Sequence, residues 1–403
     1  MKNRTVAPLL ALTAMSCGQD RQGLAGMQSE VRDSAGIQIV ANNRPADDSR
    51  LAWRIGPEPS VSIGVLEGAE PYMLYLAWDA TRLRDGRIVV ANVGTDELRV
   101  FDAAGVYIET WGGRGEGPGE FRSLWSVEPW PGDSIIAWYT ARGGMSVFDA
   151  QGNYGRSFTL VNDEAATPMQ RFSPWHATLD GSILAVHAPE VADSIVVQLR
   201  DAGGGVRSSF GTHPGREPYI QAEGTDQAML FWKTFGRQPV WAPWSDLIVV
   251  GNTSRYELKA FGADGSLARI VRRDHIPRVP TADDVEAHIE VEVATNSPAS
   301  PAEGQRLRQR FQDVPVAETF PAFASVRSDR AGHLWVEEYK FPREDRPGVL
   351  WTVFDPEGRV LGLVETPRDL EIFEIGEDYI LGSTEDELGV EYIQLWPLER
   401  SGG

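Results

Sequence analysis

The chain has 403 residues, 42% of them hydrophobic, and a formal net charge of −20. So acidic a surface repels phosphate backbones and excludes nucleic acid as a general partner. The single cysteine, Cys17, excludes an intrachain disulfide, and 41 glycines, 26 prolines and 13 tryptophans suit a chain of many strands and turns.

Residues 1–17 read as an export signal. Lys2 and Arg4 give a positive start, and Thr5 to Met15 is apolar but too short to span a bilayer. The segment ends in Ala14-Met15-Ser16-Cys17, which resembles a bacterial lipobox, with Ala14 where that motif prefers Leu. The resemblance implies lipidation at Cys17, a membrane association made only through that anchor, and a periplasmic or outer-membrane-anchored protein of a bacterial envelope. Residues 18–34 are small and polar and read as a tether.

From residue 35 to 398 one grammar recurs. Phe101-Asp102-Ala103-Ala104-Gly105 closes a strand and opens the next, and the same turn returns at Phe148–Gly152 and Phe354–Gly358. Degraded copies stand at Leu199–Gly203 and Phe261–Gly265. Asp bonds its own downstream backbone in such a turn, and Gly supplies a positive φ. Around the first copy lie a buried run, Ile88 to Asn92, an alternating strand through Phe101, and a strand from Val106 to Trp111. Together with the strand before them they make a four-stranded antiparallel sheet.

Six such units follow one another, and the turns are spaced 47, 51, 62 and 93 residues apart. The first two spacings fit a propeller blade of about 40–50 residues. The expected fold is therefore all-β, a six-bladed β-propeller of four-stranded antiparallel blades. The last unit is short of an outer strand, which the segments Ala35–Val40 and Val61–Ile63 are expected to supply.

The long spacing marks an insertion at residues 275–321. Thr281 and Asp284 approximate a capping arrangement, and Val285/Ile289 and Leu307/Phe311 fall at helical spacing. Two short helices are expected, packed on the blades or serving as a lid or docking element.

The string Gly115-Glu116-Gly117-Pro118-Gly119-Glu120-Phe121 resembles a signature of bacterial six-bladed propellers related to NHL repeats. Asp33 to Val40 and the stretch from Phe320 to Gly358 resemble the same group, so the likeness covers about residues 33–398. It implies the fold and export; many members of this group have no assigned activity. In the string itself, the glycines permit unusual backbone angles, Glu120 is placed to accept loop N–H bonds, and Phe121 to wedge between blades.

No P-loop, Gly-x-Ser-x-Gly elbow, His-x-x-x-His pair or EF-hand loop is present. No motif calls for a cofactor, though a divalent cation, calcium or zinc, held by side chains from separate loops stays open. His176, His187 and His333 lie in blades and are weighed as channel ligands against ordinary packing residues. The acidic run from Asp369 to Glu391 reads as a solvated surface. Ligands of propellers bind where inner strands start, which singles out Tyr72, Tyr75, Arg122, Arg171, Lys233 and Arg237, with Phe121, Phe172 and Phe323 beside them. That set is aromatic and basic and suggests a local positive field, set against the alternative that its arginines pair with acidic neighbours. Two functions follow: a binding or scaffold module for a protein, peptide or glycan, or a metal-dependent lyase or lactonase with its site in the channel.

Overall fold

The computed structural model describes residues 29–139, 143–162, 171–189, 192–222 and 228–400. Cys17 and the segment read as an export signal lie outside them. The described strands form a six-bladed β-propeller. Blade 1 comprises Ala77–Arg82, Ile88–Asn92, Glu97–Phe101 and Tyr107–Gly112, hydrogen-bonded antiparallel in that order from channel to rim. Blades 2, 3, 4 and 5 repeat the order with inner strands Leu124–Trp130, Ser173–Ala177, Pro239–Trp244 and Val326–Ser328.

Blade 6 closes the ring with strands from both ends of the chain. Glu371–Ile375, Tyr379–Glu385 and Glu391–Arg400 are completed by Trp53–Ile55 and Val61–Ile63, which both pair antiparallel with Glu391–Arg400. Val61–Ile63 thus does what was expected of it, whereas the other segment goes elsewhere. Ile37–Asn42 pairs in parallel with Leu267–Arg273 on the rim of blade 4, and Ser29–Ser34 adds a sixth strand outside it. The expected tether to residue 34 is shortened accordingly, because residues 29–34 are a strand. The physical reason is Asn42. Its buried amide donates to the Arg272 and Gly358 carbonyls at 3.0 and 2.9 Å and accepts from Val360 N at 2.9 Å, stitching blade 4 to blade 5.

Six apolar clusters hold the ring, one at each blade–blade interface. Ile63, Leu381 and Ile393 of blade 6 meet Ile88, Val90 and Phe101 of blade 1 in the same way that Val89 and Trp111 meet Phe121 and Val127 one interface on. The closing interface is therefore built like the others, and each blade buries an apolar face against its neighbours.

The recurring turns lie on the face where inner strands end, here the turn face. Asp102 Oδ1 accepts from Ala104 N and Val106 N at 2.9 and 2.8 Å, and Asp149 and Asp201 make the same pair of bonds. Each turn glycine seats on the blade before. A Cβ at Gly358, whose φ is +86°, would lie 2.7 Å from Val271 Cγ2. Glycine is needed there for both the left-handed backbone and the close approach.

The opposite, mouth face carries the crossovers between blades. In the glycine-rich crossover, Gly112, Gly113 and Gly119 take positive φ but Gly115 and Gly117 do not. Those two are needed for space, since the Glu120 carboxylate folds over them and accepts from Gly117 N at 2.7 Å. Phe121 is fully buried between blades 1 and 2, as a wedge.

The insertion forms the two expected helices, α1 (Ala282–Thr295) and α2 (Pro301–Gln312), and Thr281 with Asp284 makes a full capping box. The helices pack on the crossover between blades 3 and 4 rather than on a blade side. His288 lies 5.0 Å from the Phe235 ring and Phe311 5.8 Å from Phe231, which sits in a small hairpin, Pro218–Gln221 with Met229–Trp232.

Candidate functional site

An inner strand bonds to its blade along one edge and leaves the other to the channel. In blades 1, 2 and 3 this strand carries a one-residue bulge, and the extra residue is each time a tryptophan: Trp78, Trp125 and Trp175. A bulge breaks the alternation of a strand and re-aims the unpaired side chain. The three indoles are accordingly 49%, 43% and 39% exposed, although Ala77 and Ala80 beside the first are buried. Trp241 continues the series from an unbulged strand.

Consecutive rings meet edge to face, with centroids 5.8, 6.4 and 5.1 Å apart from Trp78 through Trp125 and Trp175 to Trp241. That is the favoured geometry for aromatic quadrupoles. The other two blades break the series. Blade 5 presents Arg327, and blade 6 bulges at Phe373.

Two cavities occupy the channel. The larger, about 930 Å³, opens to the turn face and is lined by the second halves of all six inner strands, including Arg327 and Phe373. The smaller, about 640 Å³, opens at the mouth between blades 6, 1 and 2. Its walls are Trp78 and Trp125, the hydroxyls of Ser126, Ser383 and Thr384, and five carboxylates: Asp79, Asp369, Glu371, Glu385 and Glu391.

Asp79 lines both cavities. Its carboxylate accepts from Ser126 Oγ and from Val127 N at 3.1 Å, tying blade 1 to blade 2. Burial, with Glu128 nearby, pushes its pKa up to about 7 against the pull of those hydrogen bonds. Glu128 repeats the tie one blade on, accepting from Ala177 N at 2.7 Å. Glu391 accepts from Ala77 N at 3.1 Å across the closing interface. The side chains of Asp369, Glu371 and Glu385 make no hydrogen bond or ion pair with any described residue. Burial lowers the pKa of Arg327, while Glu337, Glu371 and Asp79 act to hold it up.

The six positions singled out by sequence lie outside both cavities, and Tyr72 sits between blades 6 and 1 rather than at the mouth. Tyr72 packs on Phe101, and its hydroxyl accepts from Tyr107 N at 2.8 Å. Tyr75 is exposed and covers Gly94. Arg122 pairs with Glu116 of its own loop. Arg171 is exposed beside His187, which faces its carbonyl at 3.2 Å. Lys233 and Arg237 are brought together on Glu217, at 3.3 and 3.7 Å. The positive field expected at the strand starts is thus cancelled in large part by local partners, and the mouth cavity carries carboxylates instead.

Phe121 and Phe323 are buried in blade interfaces, and Phe172 stacks under Arg200. The blade histidines do not converge. His176 lies 3.0 Å from Glu128, His187 sits at the Arg171 carbonyl, and His333 lies 3.0 Å from Asp329. Among the described residues no group of three or more His, Cys, Asp or Glu is placed to hold a metal ion.

What sequence reasoning missed stands three or four residues further along the same strands. Tyr75 precedes Trp78 by three and Arg171 precedes Trp175 by four. The signal was present as a tryptophan near the start of four successive inner strands. The acidic side chains of the run from Asp369 to Glu391 are largely exposed, as expected, and the run also supplies four of the five cavity carboxylates.

No family model matches the chain, and no curated protein matches it in sequence. Among solved structures, a candidate exported protein of Bacteroides fragilis is similar at 12% identity and TM-score 0.46, over 90% of this chain and 99% of that one. A DUF4221 member from Bacteroides vulgatus is similar at 10% identity and TM-score 0.47, over 86% and 98%. A gluconolactonase from Xanthomonas campestris is similar at 13% identity and TM-score 0.39, over 85% and 87%. These likenesses are distant, and the six blades rest on the strand pairing itself. No helix among the described residues is long and apolar enough to cross a membrane.

Proposed function

We propose that the chain is an exported, lipid-anchored binding module that holds a protein, peptide or glycan of the cell envelope at the mouth of its channel. The observation that carries this reading is the arc Trp78–Trp125–Trp175–Trp241. Large aromatic side chains normally serve a fold by being buried. Here three successive blades spend a bulge to leave an indole half exposed, and two of the three, Trp78 and Trp125, line the mouth cavity while Trp175 extends the aromatic surface beside it, which is the composition of a ligand seat. The basic residues at the strand starts frame this seat by fixing crossovers.

The test is equilibrium binding of envelope peptides and glycans to the wild type and to a Trp125→Ala/Trp175→Ala double variant with an unchanged far-UV spectrum. Any ligand of the seat loses at least about tenfold in affinity, a value in keeping with the loss of stacking on two rings. Ligands bound equally well by both proteins would place the function elsewhere. The anchor is tested separately: labelled fatty acid follows the wild type and is absent from Cys17→Ala, and label retained in that variant rejects the assignment.

A further inference from the structure

We infer that the mouth cavity seats a small organic cation, an ammonium or quaternary ammonium group held against Trp78 and Trp125 by the carboxylates around them. The inference rests on the reading of the tryptophan arc as the ligand seat and assigns the chemistry of what it takes. The tryptophans make the site; the charged groups decide its sign. An indole face is electron-rich and attracts a cation within about 6 Å of the ring centre. Bulges deliver both rings to the cavity, where they stay half exposed.

The remaining walls select among ligands that stack on aromatic rings. Among the described residues no Lys, Arg or His lines the cavity, and of its five carboxylates the exposed side chains of Asp369, Glu371 and Glu385 make no hydrogen bond or ion pair, Arg327 in the neighbouring cavity reaching Glu371 only through its field. An anion would be repelled by them, and a neutral polyol would gain nothing from their charge. A metal ion is a poor fit for a different reason. Hard cations need several oxygens at about 2.3–2.6 Å, and the described carboxylates are nowhere clustered closely enough for that. A diffuse organic cation needs no such shell. It gains from the ring faces and from carboxylates several ångströms away. The net charge of −20 raises the local concentration of any such cation.

The test is calorimetric and fluorescence titration of the purified full-length protein with three probes at matched ionic strength: choline chloride, its uncharged carbon analogue 3,3-dimethyl-1-butanol, and cellobiose. Choline should bind saturably and at least about tenfold more tightly than the uncharged analogue, weaken about tenfold in Trp125→Ala and weaken several-fold in Glu371→Gln. If Trp125→Ala does not fold, Trp125→Phe keeps a weaker ring and should give an intermediate affinity. Equal binding of choline and its analogue, or binding of cellobiose alone, overturns the cation assignment. If that binding is still lost in Trp125→Ala, the seat itself stands. Silence from all three probes overturns the cation assignment too, and leaves the seat to be judged by the peptide and glycan binding above.

Discussion

At the turn face, Asp102, Asp149, Asp201, Asp264 and Asp355 each fold a turn whose glycine lies against the blade before. Along the channel, blades 1 to 4 present Trp78, Trp125, Trp175 and Trp241, whereas blades 5 and 6 present Arg327 and Phe373, both to the turn-face cavity. The first series is nearly uniform, and its hydrogen bonds are satisfied within each turn. The second starts uniform and then breaks, and the exposed carboxylates Asp369, Glu371 and Glu385 gather next to the break. A residue that recurs in every blade answers a demand every blade makes, which is to hold its neighbour. A residue that departs from the series answers a demand made once, and a ligand is such a demand.

The comparison can be broken at either face. The largest effect is expected at the turns. Gly358→Val adds a branched side chain at φ +86° and against Val271, and should cost roughly 2–5 kcal/mol in urea unfolding while leaving ligand affinity unchanged. A stable Gly358→Val protein would mean that the turns are not the latches described.

A middling effect is expected at Asp79, which belongs to both series as a blade tie and a cavity wall. Its folded pKa, about 7, is raised above the ordinary 3.8. The native state therefore holds its proton more tightly than the unfolded chain. This group's contribution is fully present below about pH 4 and is lost as pH rises to about 7. Glu128 opposes its ionisation and Arg327 favours it. Asp79→Asn should gain stability relative to the wild type across that window and hold a constant difference above it. Urea midpoints at a series of pH values check this, and a difference independent of pH contradicts it. The smallest effect is expected for Asp102→Ala, about 1 kcal/mol, because the freed N–H groups in an exposed turn find water.

The ring was legible in the sequence because its turns are local. Phe-Asp-x-x-Gly encodes its own Asx bonds and its own positive φ, and Thr281 with Asp284 likewise announces a helix start. The bulges were not legible, because a bulge is a mismatch in register between two strands, and one strand read alone shows only an extra residue. The sign of the site was misjudged for a related reason. Arg237 reads as a free cation until the fold brings Glu217 and Asp193 to it. The destination of Ile37–Asn42 was equally hidden, since the outer edges of blades 4 and 6 both accept an apolar strand and the contacts that favour blade 4, the buried Asn42 and the Gln38–Arg269 bond, form only in the fold.

The central claim is that the mouth tryptophans take the ligand, and the indole N–H resonances report on it directly. The chain has 13 tryptophans, each giving one such signal, assignable by substitution. On titration with choline the account predicts that the Trp78 and Trp125 signals move with a common saturation curve while those of the buried Trp244 and Trp335 stay fixed. Saturable binding that leaves the Trp78 and Trp125 signals unmoved would contradict it.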